Sequence, residues 1–374
     1  MSRLEELIPH YIRSMARYVP GKSLKQAERE SGKPSIKLAS NENPFGPSPM
    51  AIEAIRRAAG EVHSYPETES PELRQALAAK HGVAADHVFV TAATSSLLRI
   101  IGYTFLSPGL NAITSELSFI SYPILAQAAG ATMVKVPARN HGYDLEGILA
   151  AINSDTRVIL LANPNNPTGS FIPVEEVDRF LDRVPPHVLV VLDEAYSDFA
   201  EAFAAERGVE YSHGLRYVQE GRNVVVARTF SKAQGLAGLR LGYGLGHPDL
   251  LQHFDRVKTV FSVSTVAEAA GIAALQDHHH IQRTISNNLS GAKYLTEKLT
   301  EIGHKVLPTW ANFLYVDVGE DSMTMAKRLE AEGVIVRPLT GWGAPTAIRV
   351  SIGTPEQNQT FIAAMKKLVG AAVK

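Results

Sequence analysis

The chain has 374 residues, which is long enough for two domains. Of these residues 45% are hydrophobic and 20% are charged, proportions that are ordinary for a soluble globular protein. Its 37 basic and 38 acidic side chains nearly cancel, so no electrostatic footprint points to nucleic acid or an anionic membrane, and we expect a small-molecule partner. There are no cysteines, which excludes disulfides, thiolate metal sites and a cysteine nucleophile.

The start of the chain carries charges where a secretory signal would need an apolar stretch. No uncharged apolar run reaches the roughly 18 residues of a membrane helix, so we expect a cytoplasmic protein with no membrane partner. The turn-rich segment Ser40-Asn-Glu-Asn-Pro-Phe-Gly-Pro-Ser-Pro then predicts a boundary between an N-terminal arm, residues 1–44, and a large domain, residues 45–264.

Short apolar runs alternate with segments of helical length in the large domain, a pattern typical of βαβ units and a parallel sheet. Val158-Ile-Leu-Leu-Ala and Val188-Leu-Val-Val-Leu are apolar at every position, as expected for strands covered on both faces. Between them, apolar residues at helical spacing predict a helix with Pro173 in its first turn. The predicted strands span residues 87–91, 111–114, 132–136, 157–162, 188–192, 224–227 and 242–245.

Beyond about residue 264 the pattern changes to long helical stretches followed by strand-like segments at residues 312–318 and 334–338. This change predicts a smaller α+β domain, residues 265–374, against which the N-terminal arm packs. The expected fold class is therefore α/β, with a three-layer αβα large domain around a mostly parallel seven-stranded sheet and a smaller α+β domain.

Polar side chains follow several predicted strands at the carboxyl edge of the sheet, where open parallel sheets bind ligands. Asn166, Asp193 and Lys232 bring an amide, a carboxylate and an amine to this edge. Together they could hold a ring that carries a phenolic oxygen, a basic nitrogen and an aldehyde. This combination predicts pyridoxal 5'-phosphate as the cofactor.

Asp193 would be costly at a buried strand end without a partner, and a protonated pyridine nitrogen would supply one. Such a pair would keep the ring cationic, and therefore an electron sink when a Cα proton leaves. Tyr196 lies three residues further on and could bond the ring oxygen beside Asn166. Taken alone, the two residues could also be a helix-capping aspartate and a packed tyrosine.

Lys232 has apolar neighbours that withdraw it partly from water, which lowers its pKa and makes it a plausible nucleophile toward an aldehyde. A solvated lysine at a helix start is the alternative. Several nearby groups could bind a phosphate through hydroxyls, a guanidinium or the N–H groups of a helix N-terminus. They are Thr229, Ser231, Arg240, Thr94 and Ser95, and N-capping is the other role open to the hydroxyl groups among them.

Four segments, in order and spacing, resemble motifs of the fold-type I pyridoxal-phosphate aminotransferases. They are Asn163-Pro-Asn-Asn-Pro-Thr-Gly, Leu192-Asp-Glu-Ala-Tyr, Thr229-Phe-Ser-Lys followed by Gly238-Leu-Arg-Leu-Gly, and Arg349-Val-Ser-Ile-Gly-Thr. Three more resemble the histidinol-phosphate aminotransferase subgroup: Tyr18-Val-Pro-Gly-Lys, residues 36–49, and Ser64-Tyr-Pro-Glu. The likeness spans roughly residues 13–354.

The resemblance implies specific roles at the cofactor. Lys232 would bind its aldehyde covalently and act as the catalytic acid and base, and Asp193 would pair with the ring nitrogen. Asn166 and Tyr196 would hold the ring oxygen, and Phe119 would stack on the ring. The phosphate would lie among the hydroxyls, the helix N-terminus and the guanidinium named above.

The resemblance also implies how substrates are bound. Tyr65 would reach into the neighbouring subunit's site, which implies a homodimer with shared active sites. Arg349 would bind the carboxylate of the amino-acid donor, and Arg337 would bind a substrate phosphate. The implied activity is transamination between L-histidinol phosphate and 2-oxoglutarate in histidine biosynthesis. Aromatic amino acids, phenylalanine or tyrosine, remain the alternative substrates.

The chain departs from the family pattern at two places. The phosphate loop has Ala92-Ala93 where Asn-Gly or a similar pair is usual, and alanine has less backbone freedom at a tight approach. The subgroup often has an aromatic residue or proline followed by Asn-Val-Asn at a position where this chain has Val260-Phe-Ser-Val-Ser.

Four other hypotheses are weaker. A P-loop ending at Gly21-Lys-Ser lacks the glycine five residues earlier, and Gly242-Tyr-Gly-Leu-Gly does not lie between a first strand and a helix as a dinucleotide fingerprint requires. We expect glycines there to permit close packing instead. A non-catalytic binding protein of this fold would be expected to lack Lys232. Asp277-His-His-His predicts a solvated turn rather than a metal site, since no second ligand cluster accompanies it.

Overall fold

The computed structural model describes residues 4–15 and 24–372, so the motifs at residues 18–22 and 21–23 lie outside the described residues. The helices, in chain order, are α1 His10–Arg13, α2 Leu24–Ser31, α3 Pro49–Ala58, α4 Pro71–His81, α5 Thr94–Phe105, α6 Ser121–Ala128, α7 Leu145–Ala151, α8 Val174–Leu181, α9 Ser197–Arg207, α10 Gly214–Gln219, α11 Pro248–Phe254, α12 Thr265–Gln276, α13 His278–Glu301, α14 Ser322–Ala331 and α15 Pro355–Ala372.

The strands are β1 Ile36–Lys37, β2 Val88–Thr91, β3 Asn111–Ser115, β4 Thr132–Val136, β5 Thr156–Ala162, β6 Leu189–Asp193, β7 Val224–Thr229, β8 Gly242–Leu245, β9 Lys305–Val306, β10 Phe313–Asp317, β11 Val334–Ile335, β12 Arg337–Pro338 and β13 Ala347–Ser351. Each of the seven predicted strands of the large domain is present, with ends that differ by at most two residues. Asp193 and Thr229 belong to the ends of their strands rather than to the loops that follow.

A seven-stranded sheet has the order β2-β8-β7-β6-β5-β3-β4. Strand β8 pairs antiparallel with both of its neighbours, and the other pairings are parallel. The carboxyl ends of β5, β6 and β7 therefore meet at one edge, and the start of β8 lies at the same edge beside Thr229. This is the mostly parallel sheet that the sequence predicts.

Alternate side chains of the central strands enter two separate apolar cores, because successive residues of a strand point to opposite faces. Ile159, Val190 and Val226 face the layer that contains α3, α4, α7, α8 and α10. On the opposite face, Leu160 and Val191 face the layer that contains α5, α6 and α11. Helices thus cover both faces, which confirms the three-layer αβα arrangement.

Helix α8 begins one residue later than expected. Pro173 is the residue before its first turn, with φ −57° and ψ 146°, and Val174, Val177 and Phe180 form the buried stripe. Extended backbone at the capping position suits proline, since it needs no N–H there.

Helix α12 packs with the helices of the large sheet. Ala267, Ala270 and Ala274 are buried in the same core as Leu73 and Leu77 of α4. The small alanine side chains let α12 lie closely against α3 and α4. This packing places α12 with the larger lobe, whereas the sequence pattern placed the start of the smaller domain at residue 265.

The smaller lobe has a four-stranded antiparallel sheet in the order β12-β13-β10-β9, covered by α13, α14 and α15. Strand β1 of the N-terminal arm pairs with β11 beside this sheet, and Leu38 enters its apolar core. The arm then passes from the smaller lobe to the edge of the large sheet. No helix in the described ranges is long and apolar enough to cross a membrane.

Candidate active site

A cavity of about 400 Å³ opens at the carboxyl edge of the large sheet, between the two lobes. Most of the side chains that the sequence analysis selected lie on its wall. They are Thr94, Ser95, Phe119, Asn166, Asp193, Tyr196, Thr229, Ser231, Lys232, Arg240, Arg337 and Arg349. Tyr65 lies elsewhere, so the structure brings all but one of the selected residues together within a single chain.

Lys232 lies in the loop after β7, where its amine faces the N-terminal arm. Its Nζ donates to the main-chain oxygens of Ser40 and Asn41 at 3.4 and 3.3 Å. Burial, followed by the positive charge of Arg349, lowers the pKa of Lys232 to about 8. A substantial fraction of the amine is therefore neutral near pH 8 and can act as a nucleophile.

Asp193 ends β6, and its carboxylate is buried with two donors. Tyr122 donates to Oδ2 at 3.0 Å, and the Ala195 N–H donates to Oδ1 at 3.3 Å. Burial raises the pKa of Asp193 to about 6, although these two hydrogen bonds act in the opposite direction. The carboxylate keeps unused lone pairs on the cavity side, where a protonated ring nitrogen would stabilise its charge.

The hydroxyl of Tyr196 accepts two amide donors, from Asn41 at 3.0 Å and from Asn166 at 3.1 Å. Burial raises the pKa of Tyr196, so the hydroxyl keeps its proton and can donate it into the cavity. Asn41 was not among the residues selected from the sequence. Its backbone has φ 55°, and Ser351 of β13 donates to its side-chain oxygen at 3.1 Å.

The two arginines at the cavity differ in their contacts. Arg349 of β13 is buried, and it donates to Asn166 at 2.6 Å and to the main-chain oxygen of Ala39 at 2.8 Å. Arg337 lies opposite it on β12 and is partly exposed. Within residues 4–15 and 24–372, no acceptor or carboxylate is bonded to the Arg337 guanidinium, which leaves it available to an anion.

The loop before α5 approaches the sheet closely. Ala93 adopts φ 72° and ψ 157°. Residues other than glycine rarely adopt this backbone conformation, which costs about 1–3 kcal/mol. A Cβ atom at Gly242 would lie 2.7 Å from the backbone nitrogen of Thr94, which confirms that close packing requires glycine there. The tight fit aims the N-terminus of α5, with Thr94 and Ser95, at the cavity.

The other groups selected for a phosphate lie beside this helix N-terminus. The Thr229 hydroxyl is 3.0 Å from that of Ser231 and accepts the Ser231 N–H at 3.1 Å. Arg240 is exposed and has φ 53°, and its guanidinium donates to the main-chain oxygen of Ala237 at 3.0 Å. Hydroxyls, helix N–H groups and a guanidinium therefore surround one end of the cavity, a combination suited to a phosphate dianion.

Phe119 forms part of the cavity wall just before α6, with its ring 5.5 Å from the ring of Tyr122 in an edge-on arrangement. Tyr65, in contrast, lies on the surface and is 84% exposed. Its ring stacks on Phe261 at 4.8 Å, beside a separate surface depression lined by α3 and α12. Tyr65 takes no part in the cavity of its own chain.

The segment that starts at Asp277 is not a solvated turn, so that expectation was wrong. The Asp277 side chain caps α13 by accepting the His280 N–H at 3.1 Å, and it accepts the Ser48 hydroxyl at 2.6 Å. Asp277 and His280 are both buried. No group of three or more potential metal ligands is assembled in the parts of the chain that the structure describes.

The family model for aminotransferases of class I and II matches residues 33–365. This match covers most of the chain. The chain belongs to this family. The histidinol-phosphate aminotransferase of Moorella thermoacetica is 42% identical over 360 residues, which cover 96% of this chain and 92% of that protein.

Two further relatives of this aminotransferase are similar over almost their whole length. Histidinol-phosphate aminotransferase 2 of Pseudomonas aeruginosa is 44% identical, covering 96% of both chains. The crystal structure of histidinol-phosphate aminotransferase from Sinorhizobium meliloti, in complex with pyridoxal-5'-phosphate, superposes with a TM-score of 0.88 at 30% identity. The superposition covers 100% of this chain and 99% of that one.

Proposed function

We propose that this aminotransferase is a histidinol-phosphate transaminase, which converts L-histidinol phosphate and 2-oxoglutarate into imidazole acetol phosphate and L-glutamate. The observation that carries the proposal is the convergence of Lys232, Asp193 and the N-terminus of α5 on one cavity. The names of the similar proteins support this choice of substrate. The reverse direction of the reaction would supply a precursor for histidine biosynthesis.

Pyridoxal 5'-phosphate fits the groups that line the cavity. An amine of lowered pKa, a buried carboxylate and a phosphate-binding end match its aldehyde, ring nitrogen and phosphate. When bound, this cofactor supplies an aldehyde that takes up the amino group and a ring that delocalises the electrons left at Cα. We assign its phosphate to Thr94, Ser95, Thr229, Ser231 and Arg240.

The remaining roles follow from the geometry of the side chains. Lys232 holds the cofactor and moves a proton to and from the substrate Cα, as an amine of lowered pKa can do near neutral pH. Asp193 keeps the ring nitrogen protonated. Tyr196 and Asn166 bind the ring oxygen, since the two are already hydrogen-bonded to each other. Phe119, on the cavity wall, stacks on the ring.

Arg349 and Arg337 bind the two anionic ends of the substrates. The buried guanidinium of Arg349 matches the carboxylate of the amino acid, because a carboxylate accepts two parallel N–H donors. Arg349 can keep its bond to Asn166 when it binds this carboxylate, because that bond uses one of the five N–H donors of the guanidinium. The Arg337 guanidinium bonds no acceptor in the part of the chain that the structure describes, and it is suited to the phosphate of histidinol phosphate.

Arg337→Ala should lower kcat/KM for histidinol phosphate by about 100-fold, because charge-assisted hydrogen bonds to the phosphate are lost. The same change should alter kcat/KM for phenylalanine less than about threefold, since phenylalanine lacks this group. Steady-state kinetics with both donors and 2-oxoglutarate measures the difference.

Arg337→Lys is the matched variant for this experiment. It keeps the charge but loses the planar pair of donors, so it should fall between the wild type and Arg337→Ala. Equal losses on histidinol phosphate and phenylalanine would contradict the assignment of Arg337. Higher wild-type kcat/KM for phenylalanine or tyrosine would favour the aromatic aminotransferase instead.

We also propose a cytoplasmic homodimer with shared active sites. Tyr65 projects from the surface and stacks on Phe261, and Val62 and Val260 are exposed beside them. An exposed apolar patch of this kind suits contact with a second copy of the chain. In that dimer Tyr65 reaches the neighbouring cavity. We propose a boundary between the lobes after α12, since its alanines pack in the larger core.

Hybrid dimers of Tyr65→Phe and Lys232→Ala chains should be more active than a dimer of either variant alone. In the hybrid, one site combines the intact Lys232 of one chain with the intact Tyr65 of the other. Activity assays on purified, differently tagged hybrids measure this recovery. Hybrid activity no higher than half that of the Tyr65→Phe dimer would show that Tyr65 serves its own chain.

A further inference from the structure

The hydroxyl of Tyr122 lies behind Asp193, outside the set of residues selected from the sequence. Tyr122 is completely buried in α6, and its hydroxyl donates to Oδ2 of Asp193 at 3.0 Å. From the residues that the structure describes, the other Asp193 oxygen accepts only the longer bond from the Ala195 N–H at 3.3 Å. The hydrogen bond from the tyrosine hydroxyl is therefore the shorter of the two described bonds that orient this carboxylate.

The position of Tyr122 couples it to another wall of the cavity. Its N–H bonds the main-chain oxygen of Phe119 at 3.0 Å, and the two rings meet edge to face at 5.5 Å. Residues 119–122 thus place the Phe119 ring on the cavity wall and the Tyr122 hydroxyl against the Asp193 carboxylate. The donor reaches β6 from the layer of helices on one side of the sheet.

The tyrosine hydroxyl is fixed as a donor. Burial and the neighbouring Asp193 carboxylate raise the pKa of Tyr122 well above its usual value, so the proton stays on the hydroxyl. A buried donor of this kind stabilises the ionised form of a carboxylate, whereas burial alone favours the protonated form. Tyr122 thus opposes the effect of burial on Asp193.

We propose that Tyr122 is a positioning residue that keeps Asp193 ionised and aimed at the ring nitrogen of the cofactor. The inference rests on the proposed function, because it assigns that nitrogen to Asp193. Tyr122 touches neither substrate nor cofactor in this arrangement and acts through Asp193. Its removal should therefore affect ligands that have the ring nitrogen and spare those that lack it.

The test measures dissociation constants of the apoprotein for pyridoxal phosphate and for its analogue with carbon in place of the ring nitrogen. Both carry the same aldehyde and phosphate, so contributions from Lys232 and the phosphate site cancel in the ratio of the two constants. At pH 5, below the pKa of Asp193 in both proteins, Tyr122→Phe should weaken pyridoxal phosphate about tenfold, because a rise of one unit in that pKa lowers the ionised fraction of the carboxylate tenfold. The analogue should bind as it does to the wild type.

The same titration has an expected pH dependence. The titratable groups around Asp193 are Tyr122, Tyr143, Tyr196, Glu194 and Lys232. Because burial raises the pKa of Asp193 to about 6, the preference of the wild type for the ring nitrogen should fade as pH falls through that value. In Tyr122→Phe the loss should begin about one pH unit higher, since the carboxylate has lost a donor.

Tyr143→Phe is the matched control for the loss of a buried tyrosine hydroxyl. The Tyr143 hydroxyl accepts the Ala162 N–H at 2.8 Å and bonds Ser118, and in the part of the chain that the structure describes it has no hydrogen bond to Asp193. It should change the two dissociation constants by the same factor. In an Asp193→Asn background, Tyr122→Phe should leave the ratio unchanged, because the residue through which it acts is gone.

Equal weakening of both ligands by Tyr122→Phe, or no weakening, would overturn the proposal. A wild-type apoprotein that binds neither ligand would instead contradict the proposed function. If Tyr122→Phe does not fold, 3,5-difluorotyrosine at position 122 keeps the ring and hydroxyl and makes a stronger donor. This substitution should lower the pH at which the preference for pyridoxal phosphate over the analogue is half lost. An unchanged pH for this half-loss would contradict the role of Tyr122.

Discussion

Replacing Lys232 with alanine should lower kcat by about 10 000-fold or more, since general acid–base catalysis alone contributes up to this factor. The amine is the proton carrier assigned to the substrate Cα, and no second lysine lines the described cavity. The variant should still bind pyridoxal phosphate without a covalent bond, because the groups at the phosphate end remain. Rapid-quench or steady-state assays and a direct cofactor titration measure the two effects.

Lys298→Ala is the control for this substitution. Lys298 pairs with Glu301 on the surface of α13 and lies outside the cavity. It should keep wild-type activity and cofactor binding. A Lys232→Ala protein that retains more than about one hundredth of wild-type kcat would contradict the role of Lys232, because general acid–base catalysis contributes at least about 100-fold.

Replacing Arg228 with alanine should destabilise the fold by about 3–5 kcal/mol, the cost of leaving one charge of a buried ion pair without its partner. Arg228 donates to Oε2 of Glu194 through Nη2 at 2.7 Å and Nε at 3.0 Å, and the Glu194 side chain is 1% exposed. Glu194 directly follows Asp193 at the end of β6, and Arg228 lies near the end of β7, so the ion pair also links the carboxyl ends of these two strands. Chemical denaturation of the apoprotein measures the loss of unfolding free energy.

Two variants sharpen this measurement. Arg222→Ala removes ion pairs with Asp182 and Glu220 at the surface and should cost about 1 kcal/mol or less. Combining Arg228→Met with Glu194→Met removes both buried charges and should recover most of the stability. A single Arg228→Ala substitution as mild as Arg222→Ala would show that the pair is not effectively buried.

The sequence predicts the carboxyl edge of the sheet well, for a physical reason. Short, fully apolar runs such as Val188-Leu-Val-Val-Leu indicate strands covered on both faces, and the polar segment after each run marks where the strand meets solvent or ligand. Asp193 directly follows its run, and Asn166 and Lys232 lie in the polar segments just beyond theirs, so local pattern alone selects them as candidates. Their convergence follows from the parallel pairing of β5, β6 and β7.

Contacts between distant segments could not be predicted in the same way. Asn41 reaches Tyr196 across 155 positions and Tyr122 reaches Asp193 across 71, and neither separation leaves a local pattern. The only local signal for Tyr122 is its place one helical turn after Phe119, which puts both side chains on one face. For Asn41 it is the turn-rich segment, which predicts a domain boundary and carries part of the family resemblance but by itself assigns no role to Asn41.

Helical periodicity also failed to assign α12 to a lobe. Its alanines at Ala267, Ala270 and Ala274 form a regular stripe that would suit a core on either side. Packing against α3 and α4 supports the proposed boundary after α12, and this packing depends on the close approach that small side chains allow. Asp277 was misjudged for a related reason, since its partner Ser48 comes from a segment 229 positions away.

Borohydride reduction of the protein reconstituted with pyridoxal phosphate tests the central claim most directly. Reduction fixes a cofactor held by a lysine, and mass spectrometry of the digested protein then identifies the modified peptide. We predict one major modified peptide, containing Lys232, and its loss when the protein is first incubated with L-histidinol phosphate, which removes the cofactor from the lysine. A modification spread over surface lysines, or a protein with no modified Lys232, would contradict the account.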